Sequence, residues 1–151
     1  MAILFDIVFT LYFILYLPVL VLRGKWHAGF LQRFGFLPPE LTRALSQGEN
    51  IWLHAVSVGE VAAMDGVIAG LRARYKDKRI VLTVTTRTGY SFALRKYQGS
   101  ATVLWSPLDL SITVDHFVRV IRPAVYIAAE TELWPNLFAR LFRDSVPVLR
   151  Y

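Results

Sequence analysis

Short apolar runs rich in β-branched residues alternate with helix-like segments from residue 50 to the last residue of the sequence. The pattern predicts strands at 50–56, 79–85, 101–105, 124–129 and 146–149, and helices at 59–75, 89–97, 110–121 and 134–142. Continuous apolar runs are typical of strands buried on both faces, and strict strand–helix alternation produces right-handed crossovers and a parallel sheet. We therefore predict a doubly wound α/β domain over residues 50–151, with helices on both faces of the sheet.

The carboxyl ends of the strands are where a domain of this kind binds its ligands. The loops that follow the first four predicted strands begin at Ser57, Thr86, Ser106 and Glu130. We expect these loops, two of them acidic and two rich in hydroxyl groups, to face one crevice.

Residues 1–22 are apolar apart from Asp6, Thr10 and Pro18. A run of this length meets the roughly 20 residues that a helix needs to cross a bilayer, so we predict an N-terminal membrane helix. A cleaved secretory signal is the competing interpretation, but the start lacks basic residues and no small-residue cleavage site follows. Because Asp6 is costly in hydrocarbon and Pro18 kinks a helix, both a clean span and a shallow or tilted insertion stay open.

Arg23 and Lys25 directly follow the apolar run, and the positive-inside tendency places them in the cytoplasm. We therefore expect the α/β domain on the cytoplasmic side of the membrane, joined to it by interfacial or linker helices over residues 23–49. The aromatic and basic residues of 25–35 are typical of a helix at the lipid headgroups, and a short packed helix explains them equally well.

The charge balance, 17 Lys and Arg against 11 Asp and Glu, gives a formal net charge of +6 and suits an anionic partner. The densest basic cluster, 72–79, is typical of the solvated end of a helix, so we predict no nucleic-acid binding. The absence of cysteine excludes a disulfide, a thiolate nucleophile and a Cys-ligated metal. No metal-ligand spacing surrounds His54 and no nucleotide-binding motif occurs, so we expect neither metal nor cofactor.

Ser57 and Glu60 have the spacing of a capping box, in which each side chain bonds the other residue's amide. That structural interpretation accounts for both residues. The functional alternative is that Gly59 allows close approach of a ligand and that Glu60, oriented by neighbouring amides, acts as a general base.

Glu130 and Glu132 stand at or just past the end of the fourth predicted strand. The dipole of the next helix favours an acidic residue near its start, which explains Glu132 structurally. A carboxylate at the end of an apolar strand, such as Glu130, costs free energy to bury unless it has a partner. Glu130 is therefore a candidate for function. We interpret His54, inside the first strand, as a hydrogen-bonded core residue.

Four motifs stand in order along the chain: HAVSVGE at 54–60, TTRTG at 85–89, PLDL at 107–110 and ETELWPN at 130–136. Together they resemble the 3-deoxy-D-manno-octulosonic acid (Kdo) transferases, which add Kdo to the lipid A precursor in lipopolysaccharide biosynthesis. The resemblance runs from the apolar N-terminal segment to the last residue. It implies that this sequence is the Rossmann-like, acceptor-binding N-terminal half of a two-domain (GT-B) glycosyltransferase and that the donor half lies outside it.

The resemblance also implies an inverting, metal-independent transfer from CMP-Kdo at the cell inner membrane. By position, Glu60 would be the base that deprotonates the acceptor hydroxyl, and Glu130 would stabilise the transition state. The residues expected to bind substrate are Ser57, Gly59, Thr88, Gly89 and Glu132.

Two residues depart from the family pattern. Gln32 stands where the family often has an acid, and Arg87 where it usually has proline. These departures leave open the acceptor contacts near residue 32 and the shape of the turn after the second strand. A catalytically incomplete, membrane-anchored module that binds the lipid A precursor or a partner is the alternative function.

Overall fold

The computed structural model describes residues 6–8, 10, 11, 14, 15, 29–130, 132 and 134–151. After a 3-10 helix at Leu31–Phe34, the helices are α1 Pro39–Ser46, α2 Val58–Ala63, α3 Asp65–Arg74, α4 Arg87–Lys96, α5 Ser111–Ile121 and α6 Pro135–Arg143. The strands are β1 Asn50–Ala55, β2 Arg79–Val84, β3 Thr102–Trp105, β4 Pro123–Ala128 and β5 Val148–Arg150.

The five strands form one parallel sheet in the order β3-β2-β1-β4-β5. The central strand β1 is buried along its whole length, including its two polar residues Asn50 and His54, as predicted for a strand of a parallel sheet. The predicted α/β fold with a parallel, Rossmann-like sheet is therefore confirmed. It places the loops after β1, β2, β3 and β4 at one edge of the sheet.

Alternate side chains of each strand supply two separate cores. Trp52 packs with Phe117 and Tyr126 on the face covered by α1, α5 and α6. Leu53 belongs to the opposite core, beneath α2, α3 and α4. Helices cover both faces of the sheet, as predicted, because neither face carries a polar stripe that water could solvate.

The single helix predicted at 59–75 is wrong, because the chain forms two helices that meet at Met64. Met64 has a ψ angle of −5°, and its amide still bonds the Glu60 carbonyl at 3.1 Å. Asp65 and Gly66 follow, and both residue types are weak helix formers outside the first turn. The apolar spacing continues across the break, which is why periodicity did not reveal it.

The predicted membrane segment, 1–22, lies largely outside the described residues. In the described part of the chain, no helix combines the length and apolarity that a bilayer crossing requires. Asp6 is described, and its carboxylate accepts hydrogen bonds from the Ser111 amide at 3.1 Å and from Asn136 Nδ2 at 2.8 Å. Asp6 therefore has polar partners at the start of α5 and in the first turn of α6.

The 3-10 helix packs at the carboxyl end of β3. Arg33 Nε donates to the Ser106 carbonyl at 3.0 Å, and burial lowers the pKa of the Arg33 guanidinium. The side-chain oxygen of Gln32 accepts from the Trp105 amide at 2.6 Å. At this position a neutral amide oxygen accepts the backbone hydrogen bond that a carboxylate would also accept.

Candidate active site

The loop after β1 starts α2 with a reciprocal cap between Ser57 and Glu60. Ser57 Oγ accepts from the Glu60 amide at 3.3 Å, and the Glu60 carboxylate accepts from the Ser57 amide at 3.2 Å. The carboxylate also accepts from the Ser57 hydroxyl and from the Val56 amide, each at 2.8 Å. The predicted capping box is confirmed. Donors on both of its oxygens fix the orientation of the half-buried Glu60 carboxylate.

Gly59 lies exposed beside this carboxylate. A Cβ atom on Gly59 would meet only the Ser57 hydroxyl, at 3.8 Å, which is an ordinary contact. The packing of the described residues therefore does not require glycine here. An exposed glycine next to an oriented carboxylate allows a ligand to approach the backbone closely.

The loop after β2 is tied to the loop after β1. Thr86 Oγ1 donates to the Val56 carbonyl at 2.7 Å and accepts from the Gly89 amide at 3.2 Å, capping α4. Gly89 is buried, whereas Thr88 and Arg87 are exposed in the first turn of the helix. Arg87 and Thr88 therefore present their side chains to solvent at the start of α4.

The loop after β3 caps a helix that follows a different strand. The Asp109 carboxylate is buried and accepts from the amides of Asn136 at 3.0 Å and Leu137 at 2.9 Å. Burial raises the pKa of Asp109, and the two amide hydrogen bonds oppose that rise. Trp134 cannot cap α6 with its own side chain, so Asp109 supplies the acceptor for the unpaired amides.

The loop after β4 carries Glu130 and Glu132, which have different surroundings. Glu130 is exposed and lines a pocket of about 320 Å³ with Arg150 and Tyr151. The argument that Glu130 is a costly buried carboxylate is therefore wrong, because the chain bends out of the sheet at Ala129. Glu132 is half-buried, and its amide donates to the Glu130 carbonyl at 3.2 Å.

His54 lies beneath this loop and is buried and hydrogen-bonded, as predicted. Its Nδ1 lies 3.0 Å from Thr83 Oγ1, on the neighbouring strand. Its Nε2 lies 3.6 Å from the Glu132 carboxylate. Sequence reasoning missed this contact, because nothing in the local pattern indicates that a loop carboxylate turns back toward the sheet.

The structure thus brings the candidates together as loops at one sheet edge. Glu60 and Glu130 follow β1 and β4, which are neighbours in the sheet. The first two loops are joined through Thr86, and the last two through Asp109. In the part of the chain that the structure describes, no three His, Asp or Glu side chains gather as metal ligands would.

A groove of about 640 Å³ runs beside these loops, between the 3-10 helix and α4. Its lining includes Leu31, Phe36, Leu94 and Trp105, with Arg87 as its charged residue. Tyr90 stacks on Trp105 with ring centroids 4.1 Å apart. The groove is therefore largely apolar with one cation.

Comparison with known proteins decides the family. The sequence profile described as 3-deoxy-D-manno-octulosonic-acid transferase (kdotransferase) matches residues 28–150, which is most of the chain. This chain belongs to the Kdo transferase family. The resemblance inferred from the four motifs is thereby confirmed.

Individual Kdo transferases show how much of the family this chain covers. It is 35% identical over 123 residues to the 3-deoxy-D-manno-octulosonic acid transferase of Haemophilus influenzae, covering 82% of this chain and 28% of that protein. It is 29% identical over 150 residues to the Chlamydia pneumoniae enzyme of the same name, covering 96% of this chain and 34% of that protein. A probable mitochondrial transferase of Arabidopsis thaliana is 34% identical over 117 residues, 77% of this chain and 25% of that protein. The chain thus spans about a third or less of these relatives.

Proposed function

We propose that this chain is the acceptor-binding part of an inverting GT-B glycosyltransferase that transfers Kdo from CMP-Kdo to the lipid A precursor. The transfer belongs to lipopolysaccharide biosynthesis and uses neither metal nor cofactor. The observation that carries the proposal is the Glu60 carboxylate, held by three donors at the sheet edge beside the exposed Gly59. Family membership supplies the substrate class.

The proposed chemistry needs one oriented carboxylate. Glu60 takes the proton from the acceptor hydroxyl. At the same time the hydroxyl oxygen attacks the anomeric carbon of Kdo, and the bond from that carbon to CMP breaks on the opposite face. Attack opposite to the leaving group inverts the configuration. A base that is already oriented does not have to be ordered in the transition state, which lowers the barrier.

The remaining site residues have supporting roles in this proposal. Glu130, exposed at the mouth of its pocket with Arg150, stabilises the charge that develops during transfer. Ser57 and Gly59 shape the acceptor site through their backbone, and the exposed Thr88 binds substrate directly. Gly89 contributes by letting α4 approach the first loop. Glu132 binds a sugar hydroxyl through the exposed part of its side chain.

The proposal places the site at the cytoplasmic face of the inner membrane, with residues 1–22 as the anchor. Asp6 meets the helices α5 and α6 at their N-terminal ends, on the same sheet edge as Glu60 and Glu130. The 3-10 helix lies at this edge too. These contacts of Asp6 fit a shallow or tilted insertion of the anchor, which brings the catalytic carboxylates close to a lipid-borne acceptor.

A transferase assay with labelled CMP-Kdo and lipid A precursor tests the proposal. The chain is assayed in membranes alone and mixed with the donor domain of a related transferase. We expect transfer only in the mixture. Glu60→Gln should lower the rate at least about 100-fold, because a general base contributes roughly 10²–10⁴-fold.

Ser57→Ala is the matched control, because it removes one donor to the carboxylate but keeps the base. We expect it to retain more activity than Glu60→Gln even though it also removes the cap of α2, which costs about 0.5–2 kcal/mol of stability. Full activity of Glu60→Gln would refute the assignment of the base. No transfer in either preparation, with the precursor still bound by the chain, would favour the non-catalytic binding module.

A further inference from the structure

His54 is fixed from one side by the strand next to it. The imidazole is 3% exposed at the carboxyl end of β1, and Nδ1 lies 3.0 Å from Thr83 Oγ1. Thr83 is fully buried, and its hydroxyl accepts from Trp52 Nε1 at 2.9 Å and has the Leu53 carbonyl 3.2 Å away as an alternative acceptor for its own proton. A ring held by a buried hydroxyl that is itself hydrogen-bonded has one orientation.

The other ring nitrogen faces the loop after β4. His54 Nε2 lies 3.6 Å from Glu132 Oε2, and both atoms are buried without a hydrogen-bond partner among the described residues. The Trp134 ring stands edge-on to the imidazole, with centroids 6.0 Å apart. An approach of about half an ångström brings the two atoms within hydrogen-bond distance. A carboxylate only accepts, so this contact requires a proton on Nε2. In a neutral ring Nδ1 then accepts the Thr83 hydroxyl proton, which in this arrangement goes to Nδ1 and not to the Leu53 carbonyl.

From this geometry we infer that His54 is a positioning residue, whose Nε2–H holds Glu132 and thereby orients the loop that carries Glu130. The inference rests on the proposed function, in which that loop recognises the acceptor. Glu132 transmits the effect, because its amide bonds the Glu130 carbonyl. The Glu132 side chain remains 38% exposed, which leaves it accessible to a sugar hydroxyl. His54, at 3% exposure, acts through Glu132.

Two amide substitutions separate the two ring nitrogens. In His54→Gln, the amide nitrogen takes the place of Nε2 and still donates toward Glu132. In His54→Asn, the shorter amide takes the place of Nδ1 and keeps only the Thr83 side. We expect His54→Gln to stay within about threefold of wild-type kcat/KM for the acceptor in the mixture with the donor domain, and His54→Asn to lose tenfold or more. A purely structural role on the Thr83 side predicts the reverse order.

A double substitution tests whether the effect passes through Glu132. Once Glu132→Gln has removed the charged partner, adding His54→Asn should lower kcat/KM by less than threefold. If the two losses multiply instead, His54 acts independently of Glu132, and the inference is wrong.

A spectroscopic readout does not depend on activity or on folding of the His54 variants. Two-bond ¹H–¹⁵N correlations of the full chain in detergent micelles report which ring nitrogen of His54 is protonated. We expect a proton on Nε2 in the wild type and a changed Nε2 signal in Glu132→Ala. A proton on Nδ1 alone, or no response to Glu132→Ala, overturns the inference. Absence of Kdo transfer by the wild-type mixture would instead count against the proposed function and leave this result standing.

Discussion

A Cβ atom on Gly89 would lie 3.2 Å from the carbonyl carbon of Ser57. Helix α4 therefore meets the loop after β1 with no side chain between them. Thr86, one turn earlier, adds a hydrogen bond to the Val56 carbonyl. The loops after β1 and β2 are joined at Val56, whose carbonyl accepts from Thr86 and whose amide donates to the Glu60 carboxylate.

Alanine at Gly89 and at Gly59 should have opposite effects on stability. At Gly89 the new methyl would also lie 2.9 Å from Thr86 Oγ1 and 3.0 Å from Val84 Cγ1, so we expect a loss of about 1–3 kcal/mol in the free energy of unfolding. At Gly59, inside a helix, the methyl meets only the Ser57 hydroxyl at an ordinary contact distance of 3.8 Å, and we expect a gain of about 0.5–1 kcal/mol. Urea unfolding followed by circular dichroism measures both.

The two variants also differ in their expected activity. If the acceptor approaches the backbone at Gly59, Gly59→Ala should raise KM for the acceptor while the protein becomes more stable. A variant that is more stable and fully active would show that nothing approaches the backbone at this position.

Arg87→Pro should stabilise the protein. Arg87 is the first residue of α4, where the amide has no partner within the helix and proline is favoured. The preceding residue, Thr86, has φ −90° and ψ 148°, which is the conformation that a following proline requires. Removing a cation from a helix N-terminus is favourable as well. We expect a gain of about 0.5–1 kcal/mol in the free energy of unfolding, measured by thermal unfolding.

Arg87→Ala is the control, because it removes the charge without adding the proline ring. A loss of stability in the proline variant alone would mean that the Arg87 amide has a hydrogen-bond partner in solution.

Sequence patterns predicted the sheet because most of its strands are short and predominantly apolar, and they located the site loops because those loops follow strand ends. The strand bounds agree within one residue except for the start of β5, which differs by two. Patterns did not predict the break at Met64, since the apolar spacing runs through it. Nor did they predict the exposure of Glu130, which depends on a bend after β4 that no turn residue marks.

Local sequence patterns could not predict the contacts between loops, because these contacts join residues that are far apart in the sequence. Asp109 and Asn136 are 27 positions apart, and His54 and Glu132 are 78 positions apart. The second pair forms only after the neighbouring strands β1 and β4 align, and the first only after β3 and β4, which are not neighbours, have both joined the sheet. One signal was available for the first pair: Pro135 marks a helix start and Trp134 cannot cap it, so an acceptor from elsewhere was required.

Stability should fall in alkali through Tyr97. The Tyr97 hydroxyl donates to the Val61 carbonyl at 2.7 Å, and burial together with the charge of Asp65 raises its pKa to about 12. Between pH 10 and 12 the unfolded chain releases this proton before the folded protein does, so the free energy of unfolding falls as the pH rises, by up to about 1.4 kcal/mol per unit. Tyr97→Phe should be less stable at neutral pH and show a flatter alkaline decline. Equal slopes in the two proteins would mean that Tyr97 ionises as readily in the folded state as in the unfolded chain.

Asp109→Asn should uncouple the loop after β3 from α6. The carboxylate accepts two backbone amides, at Asn136 and Leu137, whereas an asparagine has one acceptor oxygen and turns an NH₂ group toward the second amide. A buried amide without a partner costs about 1–3 kcal/mol, and we expect that loss of stability in Asp109→Asn at neutral pH.

The same substitution changes the pH dependence of stability. Because burial raises the pKa of Asp109, the folded wild type keeps the proton of this carboxyl to higher pH than the unfolded chain does. Its stability therefore declines as the pH rises through that window, and Asp109→Asn should lack this decline. Unfolding curves from pH 4 to 8 for both proteins measure the two effects. If Asp109→Asn is as stable as the wild type at neutral pH, the two amide hydrogen bonds do no more than offset the cost of burying the charge.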